Sequence, residues 1–240
     1  MSTAIVTGVG PVQGLGAQLG RRFAQLGLDV IVAGRTEAKL EELAVLINSE
    51  GGRAHVMVAD ATDEEQTIKL FDKAETIGPL ELAIYNVGNA TPGRIVDMEA
   101  DYFLRAWQSG CFGGFLFGRE AARRMLESKQ GSILFTGASA SLRGKVNYGA
   151  FNSAKSALRT FAQALAKEVG PEGIHVGHVI IDGGISGEKI QKEAPDYFDK
   201  MGEESLLKLN GIVDAYEYLH KQKKSAWSFE LDLRTAVENW

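Results

Sequence analysis

Residues 3–16 read TAIVTGVGPVQGLG, and this stretch decides the fold. Its first five residues, Thr3–Thr7, are β-prone and uncharged, which is typical of a strand buried on both faces. Glycines follow at positions 8, 10, 14 and 16, and a helical pattern runs over Ala17–Leu26. Glycines at a strand-to-helix turn let the backbone approach a pyrophosphate, which then lies at the helix N-terminus. The stretch therefore predicts a dinucleotide-binding turn, with a plain tight turn as the alternative.

Strand-length apolar runs alternate with helical patterns along the rest of the chain. Leu40, Leu43, Ala44 and Ile47 recur at helical spacing, which predicts an amphipathic helix over Thr36–Asn48. Further strands are predicted at Asp29–Ala33, Ala54–Ala59, Leu80–Tyr85, Ser132–Thr136 and Ile174–Ile181, and further helices at about Tyr102–Ser128, Tyr148–Val169 and Val213–Gln222. This order predicts an α/β protein: residues 1–240 form one domain, a three-layer, doubly wound Rossmann fold around a mostly parallel sheet.

Composition and charge exclude several classes of function. The 240 residues carry 26 Lys and Arg against 31 Asp and Glu, a net charge of −5, and form no basic stripe, which argues against nucleic acid as a partner. The single cysteine, Cys111, excludes an intramolecular disulfide, and the four histidines show no metal-ligand spacing. Neither a membrane span nor a secretory pattern is evident. We expect a cytoplasmic protein that has no metal site and no membrane partner.

The ends of the second and third strands carry candidate nucleotide contacts. Gly34 stands where enzymes of the unphosphorylated cofactor usually place an acidic residue for the ribose hydroxyls. Arg35 follows it and could pair with a 2′-phosphate, which favours NADP(H); a surface arginine at a helix entry is the alternative. Asp60 could accept a hydrogen bond from an adenine amino group, or cap the turn that follows. Asp63, with Gln66 three positions later, predicts a helix N-cap.

With these elements in order, the chain resembles the short-chain dehydrogenase/reductase family over nearly all of its 240 residues. The glycine-rich turn is similar to the family's TGxxxGxG element, Asn86–Gly88 to its NAG element, Phe151–Lys155 to its YxxxK site, and Ile181–Gly183 to its Pro-Gly pair. The resemblance implies a seven-stranded sheet, a small carbonyl or alcohol substrate, and a homodimer or homotetramer formed through the two long helices. Together with Arg35 it implies NADP(H), with NAD(H) as the alternative, bound by Gly8, Gly10, Gly14, Leu15, Gly16, Arg35, Asp60, Asn86, Gly88, Lys155, Gly183 and Ile185.

The glycine-rich turn is two residues longer than the family's. If Thr7–Gly8 is the family's TG pair, five residues instead of three separate it from Gly14. If Gly10 is the first glycine, the family spacing is restored, but the strand end is longer by two residues. Both alignments require an extra piece of about the size of Val12–Gln13 close to the pyrophosphate.

The catalytic positions depart from the family pattern. In the family, a Tyr exchanges the substrate proton, a Lys one helical turn later lowers the Tyr pKa, a Ser polarises the substrate oxygen and an Asn supports a proton relay. Here Lys155 is present, but Phe151 occupies the Tyr position, Ala138 the Ser position and Gly110 the Asn position. Because Phe151 cannot titrate, hydride transfer would need another proton donor.

Three neighbouring polar residues are candidates for the missing roles. Tyr148 lies three residues before Phe151, and we expect it on the same helix face as Lys155; aromatic packing is the alternative. Ser139 adjoins the empty Ser position, although one step along a strand end turns a side chain to the opposite face. Asp182 is a carboxylate beside the expected nicotinamide, where it does acid–base work or caps the following turn. Lys155, Ser139 and Tyr148 are the candidate catalytic residues.

The least regular stretch, Gly183–Gly211, is too long for an ordinary connection and is predicted to be a lid, with a disordered insertion as the alternative. Ile190, Tyr197, Phe198 and Met201 are its candidates to close over a pocket. The favoured function is an NADP(H)-dependent oxidoreductase with a non-standard proton donor. The alternatives are a non-redox protein on the same scaffold (a lyase, dehydratase, isomerase or inactive cofactor-binding protein) and a partner subunit of an active relative.

Overall fold

Strands and helices alternate along the chain, for which the computed structural model describes residues 1–193 and 202–238. The strands are β1 (Thr3–Thr7), β2 (Asp29–Gly34), β3 (Arg53–Val58), β4 (Leu80–Tyr85), β5 (Ser132–Thr136), β6 (His175–Asp182), β7 (Gly184–Ser186), β8 (Leu206–Lys208) and β9 (Glu230–Arg234). The helices are α1 (Leu15–Gln25), α2 (Glu37–Ser49), α3 (Glu64–Ile77), α4 (Ala100–Trp107), α5 (Gly113–Ser128), α6 (Gly149–Val169), α7 (Glu188–Glu193) and α8 (Leu209–Lys221).

Seven of these strands form one sheet in the order β3-β2-β1-β4-β5-β6-β9. Every neighbouring pair in it is parallel. The prediction of a doubly wound, seven-stranded sheet is therefore confirmed. The chain runs outward in one direction from β1 to β3 and in the other from β4 to β9. This reversal makes the crevice between the carboxyl ends of β1 and β4 a topological switch point, where such folds bind ligands.

Central strands bury both faces because their apolar residues alternate between two cores. In β1, Ala4 and Val6 belong to the core shared with α1, α2 and α8, whereas Ile5 belongs to the core shared with α3, α5 and α6. Helices thus cover both faces of the sheet, which confirms the predicted three layers. As predicted, Asp63 caps α3, accepting a hydrogen bond from the main-chain nitrogen of Gln66 at 3.0 Å.

The long helix predicted over Tyr102–Ser128 is found as α4 and α5, which continue through a π-helical segment, Gln108–Phe112, that the sequence pattern does not predict. The Tyr85 hydroxyl, at the end of β4, donates a hydrogen bond to the Ser109 carbonyl oxygen at 2.6 Å. A Cβ at Gly113 would overlap that same hydroxyl. The strand end therefore holds the helix in a locally widened turn, which a hydrophobic repeat alone does not reveal.

β9, the last strand of the seven-stranded sheet, is not located by the sequence pattern. In β9, Leu231 and Leu233 pack against the core, while Glu230, Asp232 and Arg234 alternate with them. A short edge strand with charged residues at every second position has too little apolar content to be distinguished from a loop.

The predicted lid, Gly183–Gly211, is more regular at its ends than expected. β7 and β8 pair in parallel as a small second sheet, α7 follows β7, and α8 begins at Leu209, so the start predicted at Val213 is too late. Ile190 lies half-buried in α7. Tyr197, Phe198 and Met201 lie outside the described residues, and closure over a pocket stays a prediction.

Candidate cofactor and catalytic site

The glycine-rich turn lies at the carboxyl end of β1, and its extra length forms a separate tight turn. β1 ends at Thr7, and Gly8 adopts φ +79°, where a Cβ would overlap the Asn86 carbonyl oxygen. The main-chain nitrogen of Gly14 donates to the Pro11 carbonyl oxygen at 2.9 Å, which closes the additional turn. Thr7–Gly8 thus keeps its place at the strand end, as the first alignment requires. The longer strand of the second alignment is not formed.

α1 begins directly after this turn with an uncapped N-terminus. Gly14 is the N-cap residue, and no side chain accepts a hydrogen bond from the first turn of the helix. A Cβ at Gly16 would lie 2.9 Å from the Gly8 carbonyl oxygen, so glycine allows the helix and the turn to approach closely. The first N–H groups of an α-helix have no partner within the helix, and their dipoles favour an anion. This end of α1 is therefore suited to a pyrophosphate.

The additional turn is fastened on both sides. The Gln18 side chain donates to the Val12 carbonyl oxygen at 2.8 Å, and the Glu188 main-chain nitrogen donates to the Gln13 carbonyl oxygen at 2.9 Å. A Cβ at Gly187 would lie 2.7 Å from the same Gln13 oxygen. The extra residues therefore join the glycine-rich turn to the first residues of the segment predicted to be a lid.

At the end of β2, backbone packing excludes an acidic side chain. A Cβ at Gly34 would lie 2.7 Å from the Val9 carbonyl oxygen, so no longer residue fits there without a shift of the turn. Arg35 is exposed to solvent. Asp60 accepts hydrogen bonds from the main chain and hydroxyl of Thr62 at 2.9 and 2.8 Å, and so caps its turn, the alternative considered for it.

α6 places Lys155 in the crevice between the ends of β4 and β5. The side chain is only 3% exposed, and its Nζ donates to the carbonyl oxygens of Val87 at 3.0 Å and Thr136 at 2.8 Å. A Cβ at Gly88 would lie 3.0 Å from Nζ, so this glycine leaves room for the ammonium group. Burial lowers the pKa of Lys155 to about 8.

Beneath Lys155 lies a buried hydrogen-bond network that the sequence reasoning missed. The Tyr216 hydroxyl and Thr136 Oγ1 are 2.6 Å apart, and Thr136 Oγ1 donates to Asn86 Oδ1 at 3.0 Å. Asn86 Nδ2 donates in turn to the Gly8 carbonyl oxygen at 3.3 Å. Burial raises the pKa of Tyr216. Since Thr136 also holds Lys155 through its carbonyl group, one network ties α8, the glycine-rich turn and the lysine together.

Asp182, at the end of β6, is paired on the rim of the crevice. Arg143 Nη2 lies 3.0 and 2.9 Å from its two carboxylate oxygens, and Ser139 faces the same carboxylate. Burial by itself would raise the pKa of Asp182, but these hydrogen bonds outweigh it and hold the pKa below its usual range. Asp182 is therefore an ionised acceptor at neutral pH, and it engages Ser139. No sequence motif marked Arg143.

Tyr148 does not share a helix face with Lys155, and that expectation is wrong. Tyr148 is the N-cap residue of α6, with φ −119° and ψ 27°, so it precedes the helix. Its ring lies 5.2 Å from the Lys145 ammonium group. Phe151 does lie beside Lys155, with 6.0 Å between its ring centroid and Nζ.

The position of the family's Asn is filled by packing. A Cβ at Gly110, in the π-helical segment, would lie 2.6 Å from the Ala154 Cβ in α6. The helices approach too closely here for any side chain at residue 110. Ala138 follows β5 and is half-buried, and its methyl group offers no hydroxyl.

His175 and His178 belong to the core. His175 stacks on Trp227 with centroids 4.9 Å apart, and the fully buried His178 lies 2.9 Å from Glu230 through its Nδ1. Among residues 1–193 and 202–238, no three His, Cys, Asp or Glu side chains group as metal ligands. None of the helices described is both long and apolar enough to cross a membrane.

Comparison with known proteins identifies the family that this fold and crevice define. The family model for short chain dehydrogenases matches residues 2–196, and the chain belongs to this family. Elsinochrome reductase 1 of Elsinoe fawcettii is 30% identical over 197 residues, which make up 81% of this chain and 72% of that protein. NADPH-dependent aldehyde reductase 2, chloroplastic, of Arabidopsis thaliana is 28% identical over 246 residues, covering 91% of this chain and 90% of that protein.

A solved structure of similar length is also related. The crystal structure of a short-chain dehydrogenase from Rhodopseudomonas palustris has a TM-score of 0.83 and 36% identity, covering 97% of this chain and 98% of that one. The family and the reductases among these relatives support an oxidoreductase of the short-chain dehydrogenase type.

Proposed function

We propose that the protein is an NADP(H)-dependent reductase of small carbonyl compounds that works without the family's phenolic acid. The observation that carries the proposal is the position of Lys155, buried in the switch-point crevice and held by two main-chain carbonyl groups. When bound there, a reduced nicotinamide supplies hydride to a carbonyl carbon. The name of the Arabidopsis thaliana relative, an NADPH-dependent aldehyde reductase, supports the same cofactor and substrate class.

The residues present fit a nicotinamide dinucleotide. The free N–H groups at the start of α1 are suited to the pyrophosphate. Gly8 allows the turn to lie close to β4, and Gly88 leaves room for the Lys155 ammonium group. We propose that Lys155 holds the nicotinamide ribose. The remaining contacts are assigned to Gly10, Gly14, Leu15, Gly16, Arg35, Asp60, Asn86, Gly183 and Ile185.

NADP(H) is proposed over NAD(H) because of the end of β2. The contact between Gly34 and the Val9 carbonyl oxygen leaves no space for the acidic side chain that would hold the ribose hydroxyls. Arg35, exposed beside it, is proposed to pair with the 2′-phosphate, since a guanidinium matches phosphate geometry.

Ser139 and Tyr148 are proposed to line the substrate pocket without exchanging the substrate proton. The Ser139 hydroxyl faces the ionised Asp182, and Tyr148 precedes the helix that carries Lys155. Ala138 and Phe151 add no polar group at the usual proton-transfer positions. The proton must therefore come from elsewhere in the crevice.

The exposed face of α4 and α5 is proposed to join copies of the chain into a homodimer or homotetramer. Phe103, Trp107 and Phe115 are 41%, 37% and 36% exposed on it. Contiguous apolar surface of this kind usually marks an interaction site. Sedimentation of the parent and of Trp107→Glu tests this: we expect the variant to dissociate, and a parent that sediments as a monomer would contradict it.

The test of the proposed function combines binding with turnover. NADPH should raise the melting temperature more than NADH does, because a ligand at about 100 times its Kd adds about 2.7 kcal/mol to stability. With 2-tetralone and a panel of aldehydes as probes, we expect slow, protein-dependent oxidation of NADPH, since a missing general acid costs about 10²–10⁴-fold. No thermal shift with either cofactor, together with no oxidation, would refute the proposal.

A further inference from the structure

We infer that Lys155 is itself the acid of the reaction, and that its ammonium group releases the proton taken up by the substrate oxygen. This inference rests on the proposed carbonyl reduction and goes beyond it by naming the proton donor. It starts from the replacement of the phenol by Phe151 on the same helix face, which leaves the Lys155 ammonium group 6.0 Å from the centroid of the Phe151 ring.

Three polar groups around the crevice are poorly suited to supply the proton, and Tyr148 precedes the helix that carries Lys155. Asp182 is ionised and paired with Arg143, so it carries no proton to give. Ser139 faces that carboxylate, and its aliphatic hydroxyl is a weak acid. Tyr216 is fully buried, and its hydroxyl lies 2.6 Å from the Thr136 hydroxyl.

Lys155 differs from these groups because it has a donor to spare. A lysine ammonium group carries three N–H bonds. Two of them are used, by the carbonyl oxygens of Val87 and Thr136, which are its acceptors within the described part of the chain. The two main-chain contacts fix the direction of Nζ, and the absence of a side chain at Gly88 keeps the surrounding space open. A third N–H therefore remains, and we propose that the nicotinamide ribose and the substrate oxygen, or one intervening water, share it.

The electrostatic surroundings favour release of the proton. Neutral carbonyl groups, and not a carboxylate, hold Nζ. From β6, the His178 ring packs against the backbone of Gly137, next to Thr136, whose carbonyl group holds Nζ. Burial lowers the pKa of His178 to about 4, so it is neutral. Glu230, behind His178, is paired with Arg159. An ammonium group without an anionic partner gives up its proton more easily, in agreement with a pKa of about 8.

The proposed step is balanced. A C–H bond forms at the carbonyl carbon as the reduced nicotinamide loses its hydride and is oxidised. The π electron pair of the carbonyl group moves to its oxygen, which forms an O–H bond with the proton from Nζ. The N–H bond breaks, Lys155 is left as a neutral amine, and solvent protonates it before the next turnover.

The first arm of the test is a pH profile of kcat with 2-tetralone and saturating NADPH. Only the ammonium form can donate, so kcat should be level on the acid side and fall about tenfold per pH unit above the lysine's pKa. In Lys155→Arg, the guanidinium stays charged over the whole range, so the fall should vanish while kcat drops at least about 10²-fold. Lys167→Arg, at an exposed position of the same helix, is the matched control and should behave as the parent.

The second arm requires no turnover, and it does not depend on whether Lys155→Arg folds. In protein carrying ¹³Cε-labelled lysine, the Lys155 signal, assigned by its loss in Lys155→Met, should titrate near pH 8, and most surface lysines near their usual value of about 10.4. The kinetic and the spectroscopic pKa should agree. A Lys155 signal that titrates near the usual value, or a kinetic fall at a different pH, would overturn the inference.

The two levels of the hypothesis fail in different ways. A parent protein that binds neither cofactor and oxidises no NADPH removes the proposed function, and the proton donor with it. A parent that reduces 2-tetralone with a pH profile that Lys155→Arg leaves unchanged removes only the assignment of the acid.

Discussion

Replacing Lys155 by methionine should change how the stability of the protein depends on pH. Burial lowers the pKa of this lysine from 10.5 to about 8 in the folded protein. Between these two values the unfolded chain binds a proton that the folded protein has released. Stability therefore rises with pH in this window. Keeping the buried lysine charged costs the folded state free energy, and this cost disappears as the lysine loses its proton. Methionine has a similar length and cannot titrate, so the variant lacks this contribution.

The size of the effect follows from the two pKa values. The difference between the pKa of Lys155 in the unfolded chain and in the folded protein, at about 1.36 kcal/mol per pKa unit, corresponds to about 3 kcal/mol. Most of it, about 2 to 3 kcal/mol, falls between pH 7 and pH 10. The stability of Lys155→Met relative to the parent should accordingly decrease by that amount over this range. The absolute difference at one pH also contains the loss of the hydrogen bonds to Val87 and Thr136, so only the change with pH isolates the charge.

Urea unfolding of parent and variant at both pH values, at one fixed protein concentration, measures this change. Lys167→Met, at an exposed position on the same helix, is the control and should show no comparable dependence. A stability difference that is the same at pH 7 and pH 10 would refute the reasoning. It would mean that Lys155 titrates in the folded protein as it does in the unfolded chain.

Three further substitutions test the packing and the cofactor preference. Gly110→Asn, which restores the family's residue, should destabilise the protein by about 1–3 kcal/mol, because its Cβ would lie 2.6 Å from that of Ala154. Urea unfolding should show partial recovery in combination with Ala154→Gly, and an undiminished stability of Gly110→Asn alone would contradict the contact. Gly137→Ala should lower the melting temperature, since its Cβ would overlap the His178 ring; a variant that melts with the parent would show that the ring can move aside. Arg35→Glu should raise the Kd for NADPH by about 10–100-fold in a fluorescence titration, at about 1.4 kcal/mol per tenfold, and leave that for NADH nearly unchanged. Equal losses for both cofactors would argue against a 2′-phosphate contact.

The candidate site shows where sequence reasoning ends. The positions of Gly8 and Asn86 in one crevice follow from their places directly after β1 and β4, because the carboxyl ends of parallel strands meet at one edge. The role of Thr136 and Tyr216 does not follow, since they are distant in sequence and meet only after α8 packs on the sheet. No periodicity distinguishes a core tyrosine that bonds a site residue from one that merely fills space.

At the vacant catalytic positions, the sequence shows which polar groups are missing but not what surrounds these positions. The sequence identifies Phe151, Ala138 and Gly110 as residues without the expected polar groups. It does not reveal that the space at Gly110 is already taken by Ala154, or that Asp182 is paired with Arg143. Likewise, counting along the helix placed Tyr148 on the same face as Lys155, but the helix begins one residue after Tyr148. Such outcomes depend on contacts between segments and on where a helix starts, to which residue types contribute only weakly.

The sequence by itself determined the class of the fold, because uncharged strands, amphipathic helices and glycines at the first turn are local consequences of burial and backbone freedom. The tertiary structure alone decided the π-helical segment between α4 and α5, the edge strand β9 and the partners of the polar groups in the crevice. It also decided that the extra residues of the glycine-rich turn form a closed loop held by Gln18 and Glu188, and do not lengthen β1. Hydrogen bonds between distant segments and the close approach of two helices depend on the packed whole, which no local pattern encodes.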